Sequence, residues 1–133
     1  MKYLLDTDWI IHWLKGNQVV VGRVKELEED GLAISMISIA EIYEGIFGSK
    51  NPKKHEEDFK EFLTGVSVLE IGEDICKKFG ELRNGLRKKG ELIGDFDLLI
   101  ASSALVSNLT LLTDNVKHYE KVKGLKIKTS EYN

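Results

Sequence analysis

KYLLDTDWIIHWLKGN (2–17) sets the fold class. KYLL (2–5) is short, apolar and stopped by Asp6, which reads as a buried strand. Trp9, Ile10, Trp13 and Leu14 then recur at helical spacing, and Gly16-Asn17 ends that helix. A brief apolar strand running straight into a helix is the first half of a strand–helix–strand unit. Such units build parallel sheets covered on both faces.

The same grammar repeats outward from this stretch. A second helix is expected from about Val19 to Glu29, with Asp30-Gly31 as its stop. LAISMIS (32–38) reads as the second strand, with Ser38 as N-cap of a helix to Gly45 or Gly48 and Glu41 completing a capping box. Pro52 favours the first turn of the next helix, which turns Phe59, Phe62 and Leu63 inward. VSVLEI (66–71) is a third strand, Glu73 to Lys89 a long amphipathic helix, and GELIGD (90–95) a loop ending in Asp95 as N-cap. A helix over 98–106, a strand at LTLLTD (109–114), a short helix over 115–119 and a last strand at LKIKT (125–129) complete the chain. The expectation is an α/β protein, a single domain over 1–133, with a short central parallel sheet between helical layers.

Composition narrows the function. No apolar run approaches the roughly 20 residues of a membrane span, and Asp6 interrupts what would otherwise be a signal-peptide core. Cys76 is the only cysteine, so an internal disulfide and a four-thiolate zinc site are both excluded, and a cytoplasmic setting fits. Its neighbours Ile75, Phe79, Leu82 and Leu86 place it with the core stripe. The net charge of −3 argues mildly against a nucleic-acid partner. The charge is uneven, however: RNGLRKKG (83–90) and KHYEKVKGLKIK (117–128) are basic, ELEED (26–30) acidic. Local fields matter more to a ligand than the sum.

The chemistry rests on carboxylates set among core-like residues. Asp97 lies in GDFDLLIASSALV (94–106), Asp6 follows the first strand, and Glu41 interrupts the apolar stripe of SIAEIYEGIF (38–47). Removing an ion from water costs several kcal/mol, roughly, even after relaxation, so three such acids suggest a shared cation. An oxygen-only ligand set suits Mg²⁺ or Mn²⁺, ions that assist phosphodiester hydrolysis. Each acid also has a plainer reading: Asp6 as a helix cap, Glu41 as the second half of a capping box, Asp97 as a charge favouring the helix dipole. Asp95 already caps that helix, which makes Asp97 hardest to dismiss. Asp114 reads as a turn residue, and Asp8 is a weaker candidate. Arg83, Arg87, Lys88 and Lys89, with Lys117 and Lys121, are either phosphate contacts or solvated faces.

LLDTD (4–8), SIAEIYEG (38–45), GDFDLLIASSA (94–104), LLTDN (111–115) and HYEKVKGLKI (118–127) together resemble the PIN-domain ribonucleases, specifically toxins of the VapC type. Each motif is weak alone; five in order across nearly the whole chain are specific. The resemblance implies the PIN-like three-layer fold, a Mg²⁺- or Mn²⁺-dependent endoribonuclease, a small cognate antitoxin of the VapB type, and a homodimer. It puts the family's acids on Asp6, Glu41 and Asp97, and its polar accessory residues on Thr7 and Thr113. Some members carry a further acid where this chain has Asn115, with Asp114 one position early and Asp95 as an extra acid. The antitoxin is expected to lay a helix on the surface near Trp9, Trp13 and the helix after Ser38, bringing a basic residue to Asp6 and Asp97.

Two other classes compete. Asp6-Thr7-Asp8 matches the opening of haloacid-dehalogenase-like phosphatases, but the position four beyond Asp6 is Ile10 and the late motif's second Asp would be Leu99. A non-catalytic module is the other: a receiver lacks its acceptor Asp in VSVLEIGE (66–73), and a binding-only PIN fold would not need Asp6, Glu41 and Asp97 together.

Overall fold

A computed structural model describes residues 1–131; Tyr132 and Asn133, the last two positions of the expected domain, lie outside the described residues. Five parallel strands form one sheet: β1 (Tyr3–Leu5), β2 (Leu32–Ser35), β3 (Ser67–Leu69), β4 (Thr110–Leu112) and β5 (Ile127–Lys128). Their order is β3-β2-β1-β4-β5. The chain runs outward from β1 through β2 to β3, then crosses back to β4 on the other side of β1. Strand order therefore reverses around β1, where open parallel sheets place their ligands, at the carboxyl ends.

Seven helices cover the sheet: α1 (Thr7–Leu14), α2 (Gln18–Leu27), α3 (Met36–Phe47), α4 (Pro52–Leu63), α5 (Glu73–Lys88), α6 (Asp95–Val106) and α7 (Val116–Tyr119). The period of two along each strand sorts the core into two layers. Leu5, Ile34 and Leu112 face α1–α4 and pack with Trp9, Val20, Ile42, Phe59 and Phe62. Leu4, Ala33 and Leu111 face the other way, against Leu86, Leu98, Ala101, Ala104 and Tyr119. α6 is apolar nearly all round because it lies between sheet and α5, and its Ser102 and Ser103 donate to Leu98 O and Leu99 O at 2.7 and 2.8 Å, so no hydroxyl is stranded.

The structure departs from several sequence expectations. The second strand stops at Ser35, not Ser38. Ser35 has extended backbone and its hydroxyl accepts from Ile37 N at 3.0 Å, so it is the N-cap of α3. Ser38 lies inside the helix and is fully buried. Gly94, not Asp95, is the N-cap of α6: its backbone is extended, and Asp95 is already the first helical residue, its carboxylate paired with Arg83. Cys76 is exposed: the inward positions of α5 are Ile75 and Leu86, with Phe79 and Leu82 half-buried, and Cys76 falls one position off that stripe. Among the described residues, no helix is long and apolar enough to cross a membrane.

Candidate active site

β1 delivers Asp6 to the sheet's carboxyl edge, and the chain turns at once into α1. Asp6 has extended backbone and caps α1, its Oδ1 accepting from Thr7 N at 2.9 Å. Neighbouring β4 brings Thr113 to the same edge, where its hydroxyl donates to Asp6 Oδ2 at 2.8 Å. The Tyr119 hydroxyl lies 3.1 Å from Asp6 Oδ1. Three hydrogen-bond partners thus orient this carboxylate, and the residue is only 2% exposed. The cap reading and the site reading of Asp6 describe the same side chain.

Asp97 reaches that hydroxyl from the other side. It stands in the first turn of α6, its Oδ1 3.3 Å from Tyr119 Oη and its Oδ2 3.1 Å from His118 Nδ1. One hydroxyl carries one proton, so Tyr119 donates to one carboxylate at a time. Burial, then the charge of Asp8, pushes the Asp6 carboxyl up to about 7, with Asp97 adding to the shift. A proton on Asp6 donated to Tyr119 Oη, with Tyr119 donating onward to Asp97, satisfies all three groups. Burial and the Asp6 and Asp97 charges likewise push the Tyr119 hydroxyl above its ordinary value, so it remains a donor.

Glu41 comes from α3, which packs against both α1 and α6. Its Oε1 accepts from Thr7 Oγ1 at 2.7 Å, and Ser38 Oγ lies 2.9 Å from the same Thr7 oxygen. Thr7 gives its one proton to Glu41, so Ser38 donates to Thr7. Glu41 therefore partners the first motif and not the capping box expected of it. Burial raises its carboxyl above the usual range, and the charge of Asp97 adds to that. Asp97 is the acid that both Asp6 and Glu41 sense. Among the described residues no three His, Cys, Asp or Glu side chains are drawn together as a ready-made metal cage. What exists is a pair, Asp6 and Asp97, aimed at one point, with Glu41 at the margin.

The accessory positions divide sharply. Asp8 Oδ2 accepts from Asp114 N at 2.9 Å, and burial raises its carboxyl. Asp114 is turned away: its Oδ1 accepts from Trp9 Nε1 at 3.2 Å and Ser130 N at 2.7 Å, and its Oδ2 from Ser130 Oγ at 2.6 Å. It ties the end of the chain to α1, as befits a turn residue. Asn115 is exposed, its backbone N–H given to Thr113 Oγ1 at 3.1 Å. Asp95 is 77% exposed at its side chain and held by Arg83 Nη2 at 2.6 Å. Arg83 also donates to Ile93 O at 2.9 Å and lies 5.5 Å from the Phe79 ring centre, with only 12% of its side chain exposed. It is therefore engaged within the fold, while Arg87, Lys88 and Lys89 at the end of α5 are exposed, as is Lys117 on α7. Sequence reasoning missed Tyr119 and His118. They sit on a four-residue helix with no periodicity to read, and only the fold turns them towards Asp6 and Asp97.

Beside Glu41 a groove of ≈ 430 Å³ opens between α1, α3 and α4, lined by Ile11, Leu14, Ile42, Gly45 and Ile46, with Lys15, His55 and Asp58 at its edge. Trp9, expected on such a surface, is instead fully buried in the core, and Trp13 packs on Phe62 with ring centres 5.0 Å apart. Leu14 sits one residue beyond Trp13, so the exposed apolar face of α1 is rotated from the one expected.

A parallel sheet with a switch at β1 and carboxylates at its carboxyl edge defines a PIN-type architecture, and residues 3–124 match the model of the PIN domain family. The chain belongs to that family. Within it the chain belongs with the VapC ribonucleases: it is 38% identical to Ribonuclease VapC1 of Haemophilus influenzae strain R2866 over 94% of this chain and 95% of the relative. Among solved structures it resembles VapBC-1 from nontypeable Haemophilus influenzae, with TM-score 0.89 and 35% identity over 99% of this chain and 100% of that one. It also resembles VapBC2 from Rickettsia felis bound to a DNA fragment from their promoter, with TM-score 0.91 and 30% identity over 97% and 98% of the two chains. The phosphatase and receiver readings of the sequence fall away with these matches.

Proposed function

We propose that this protein is the toxin of a toxin–antitoxin pair, an endoribonuclease that hydrolyses RNA phosphodiester bonds with Mg²⁺ or Mn²⁺ held by Asp6 and Asp97 and supported by Glu41. The observation that carries the reading is the convergence of Asp6 and Asp97 on the Tyr119 hydroxyl, at 3.1 and 3.3 Å, at the switch point of the sheet. Two carboxylates that meet at one hydroxyl, one of them buried and reluctant to ionise, fit a cation better than they fit each other. VapC-type PIN nucleases are in general metal-dependent. The donor set is all oxygen, which favours Mg²⁺ or Mn²⁺ over zinc or copper. A site with two converging acids suits Mg²⁺ in particular, which binds through one or two carboxylates and fills its remaining positions with water and substrate phosphate.

Bound there, such an ion would offset the carboxylate charge and stabilise the charge that develops on the phosphate during hydrolysis. The chain's own residues do the positioning. Thr113 and the Thr7 N–H hold Asp6 in one rotamer, and His118 and Tyr119 hold Asp97. The Ser38–Thr7–Glu41 relay fixes Glu41 near the same edge. Thr7 and Thr113 serve as supports, Thr113 holding Asp6 and Thr7 holding Glu41 through their hydroxyl protons.

Regulation follows from the groove beside Glu41. The solved structures that this fold resembles are VapBC toxin–antitoxin complexes, which supports a cognate antitoxin as the partner. An apolar partner helix laid along Ile11, Leu14, Ile42 and Ile46 would bring its end to Glu41. An arginine there would pair with the site's carboxylates in a planar fork.

The test is cleavage of single-stranded RNA with Mn²⁺, with chelator, and by the Asp97→Asn and Asp6→Asn variants. Cleavage by the unaltered protein with Mn²⁺, lost with chelator and reduced at least a hundredfold in either variant, is the expected result. An Asp97→Asn protein that is folded and cleaves normally would refute the assignment.

A further inference from the structure

Asp97 opens on its outer side into a second hollow, of ≈ 480 Å³, formed by Leu92, Ile93 and Gly94 from the loop before α6 and by Lys117, His118 and Lys121 from α7 and the turn after it. Its wall is built, although the loop has no regular structure. Arg83 Nη1 holds Ile93 O at 2.9 Å, and Lys121 Nζ holds Leu92 O at 3.0 Å. Ile93 is buried beneath, so the loop is pinned at two consecutive carbonyls and plugged into the core between α5 and α6. Lys121 uses one of its three protons on the loop and keeps two. Lys117 is exposed and makes no hydrogen bond or ion pair among the described residues.

We propose that this hollow is a phosphate subsite for the RNA strand, receiving a phosphodiester adjacent to the one cleaved, with Lys117 and Lys121 as its contacts. The proposal rests on the RNA-cleavage reading of the Asp6–Asp97 pair. The hollow has two cations with donors to spare, set on a fixed wall, and shares Asp97 with the candidate site. A strand whose scissile phosphate sits at Asp6 and Asp97 must continue past one side of Asp97. The opposite side leads over Glu41 into a mostly apolar groove, where Lys15 and His55 stand only at the edge and two carboxylates, Glu41 and Asp58, line the same space. His118, between the lysines and Asp97, gives its Nδ1 to Asp97 and so stands at the boundary between subsite and reaction centre. The basic end of α5, at Arg87, Lys88 and Lys89, is a separate patch that does not line this hollow.

The experiment measures equilibrium binding of a labelled single-stranded RNA oligonucleotide, in chelator, as a function of salt. Each phosphate contact on a single strand contributes about −0.7 to the log–log slope. Lys117→Gln should flatten the slope by about 0.7, and Lys117→Gln with Lys121→Gln by about 1.4. Lys88→Gln with Lys89→Gln should leave it unchanged. With Mn²⁺ present, the Lys117/Lys121 variant should raise KM severalfold while kcat stays within about twofold, as for lost uniform binding. Lys117 supports no other contact, so its single substitution reports binding even if the double variant loosens the loop. An unaltered slope in Lys117→Gln, or a flattening produced by Lys88/Lys89 in its place, would overturn the subsite. Failure of the unaltered protein to cleave any RNA would overturn the nuclease reading instead, and the slope in chelator would still decide the subsite.

Discussion

Asp6 accepts from Thr7 N and Thr113 and shares the Tyr119 hydroxyl with Asp97, and still its carboxyl is pushed up to about 7, because burial outweighs the hydrogen bonds and Asp8 and Asp97 add like charge. Its ordinary value is 3.8. The folded chain therefore holds a proton that the unfolded chain releases near pH 4. Between about pH 4 and pH 7 the folded state binds more protons, and stability falls as pH rises. Asp8 and Glu41 are shifted the same way and add to the trend. In chelator, thermal unfolding should occur at higher temperature at pH 5 than at pH 8, by an amount worth at most about 3 kcal/mol for Asp6. Asp6→Asn should flatten most of this dependence; an equally steep profile in that variant would locate the effect elsewhere. Arg83 gives a second residue-scale prediction. Its two bonds, to Ile93 O and Asp95, and its stacking on Phe79 make it a brace for the loop before α6. Arg83→Ala should cost about 1–2 kcal/mol of stability. Its RNA salt slope should be nearly unchanged, in contrast to Lys117→Gln.

At the scale of elements, the end of the chain is tied to the start by polar contacts. β5 adds two residues to the sheet edge, and just beyond it Ser130 meets Asp114 through both its N–H and its hydroxyl, while Arg23 Nε from α2 holds Ser130 O at 2.8 Å. Asp114 also takes the Trp9 indole N–H, so α1, the β4–α7 turn and the tail meet at one carboxylate. Asp114→Ala strands three donors and should cost about 2–4 kcal/mol, whereas Ser130→Ala loses one bond and should cost about 1 kcal/mol. Chemical denaturation of both variants checks the order. If Asp114→Ala proved neutral in stability and abolished metal-dependent cleavage, Asp114 would be a ligand and not a tie. The start of α3 shows the same division of labour between neighbours. Ser35 caps the helix, and Ser38, one turn later, supports Thr7 and through it Glu41.

For the whole molecule, the sheet separates two surfaces of different chemistry. The α1–α3–α4 side carries the apolar groove, and the α6–α7 side carries the basic hollow, with Asp6 and Asp97 between them. Gly45 lines the groove from the middle of α3, and a Cβ there meets nothing within 4 Å. Gly45→Leu should stabilise the isolated protein by up to about 1 kcal/mol through helix propensity. The same side chain would fill the groove and weaken antitoxin binding at least tenfold. Thermal unfolding and titration with the antitoxin, read together, check the two signs. Stabilisation with undiminished binding would place the partner elsewhere.

The sequence by itself determined the α/β class and the order of strands and helices, and it singled out Asp6, Glu41 and Asp97 as carboxylates set among apolar neighbours. Those are local signals: apolar runs a few residues long, helical stripes, and charges where the neighbours are apolar. Caps one turn apart were not separable, because Ser35 and Ser38 offer the same hydroxyl and only the point where β2 leaves the sheet decides between them. Cys76 and Trp9 show the same limit from the burial side. One residue along a helix is 100° of rotation, roughly, enough to exchange core for solvent. Only the tertiary structure could add Tyr119 and His118 to the site, since their roles come from the approach of α7 to α6 and β1. Nor could composition say which basic residues remain available. Arg83 and Lys117 are both cations in the sequence, but the fold gives Arg83 to Asp95 and Ile93 and leaves Lys117 facing the hollow beside Asp97. Partners far apart in the chain are assigned by packing, and packing is a property of the whole molecule.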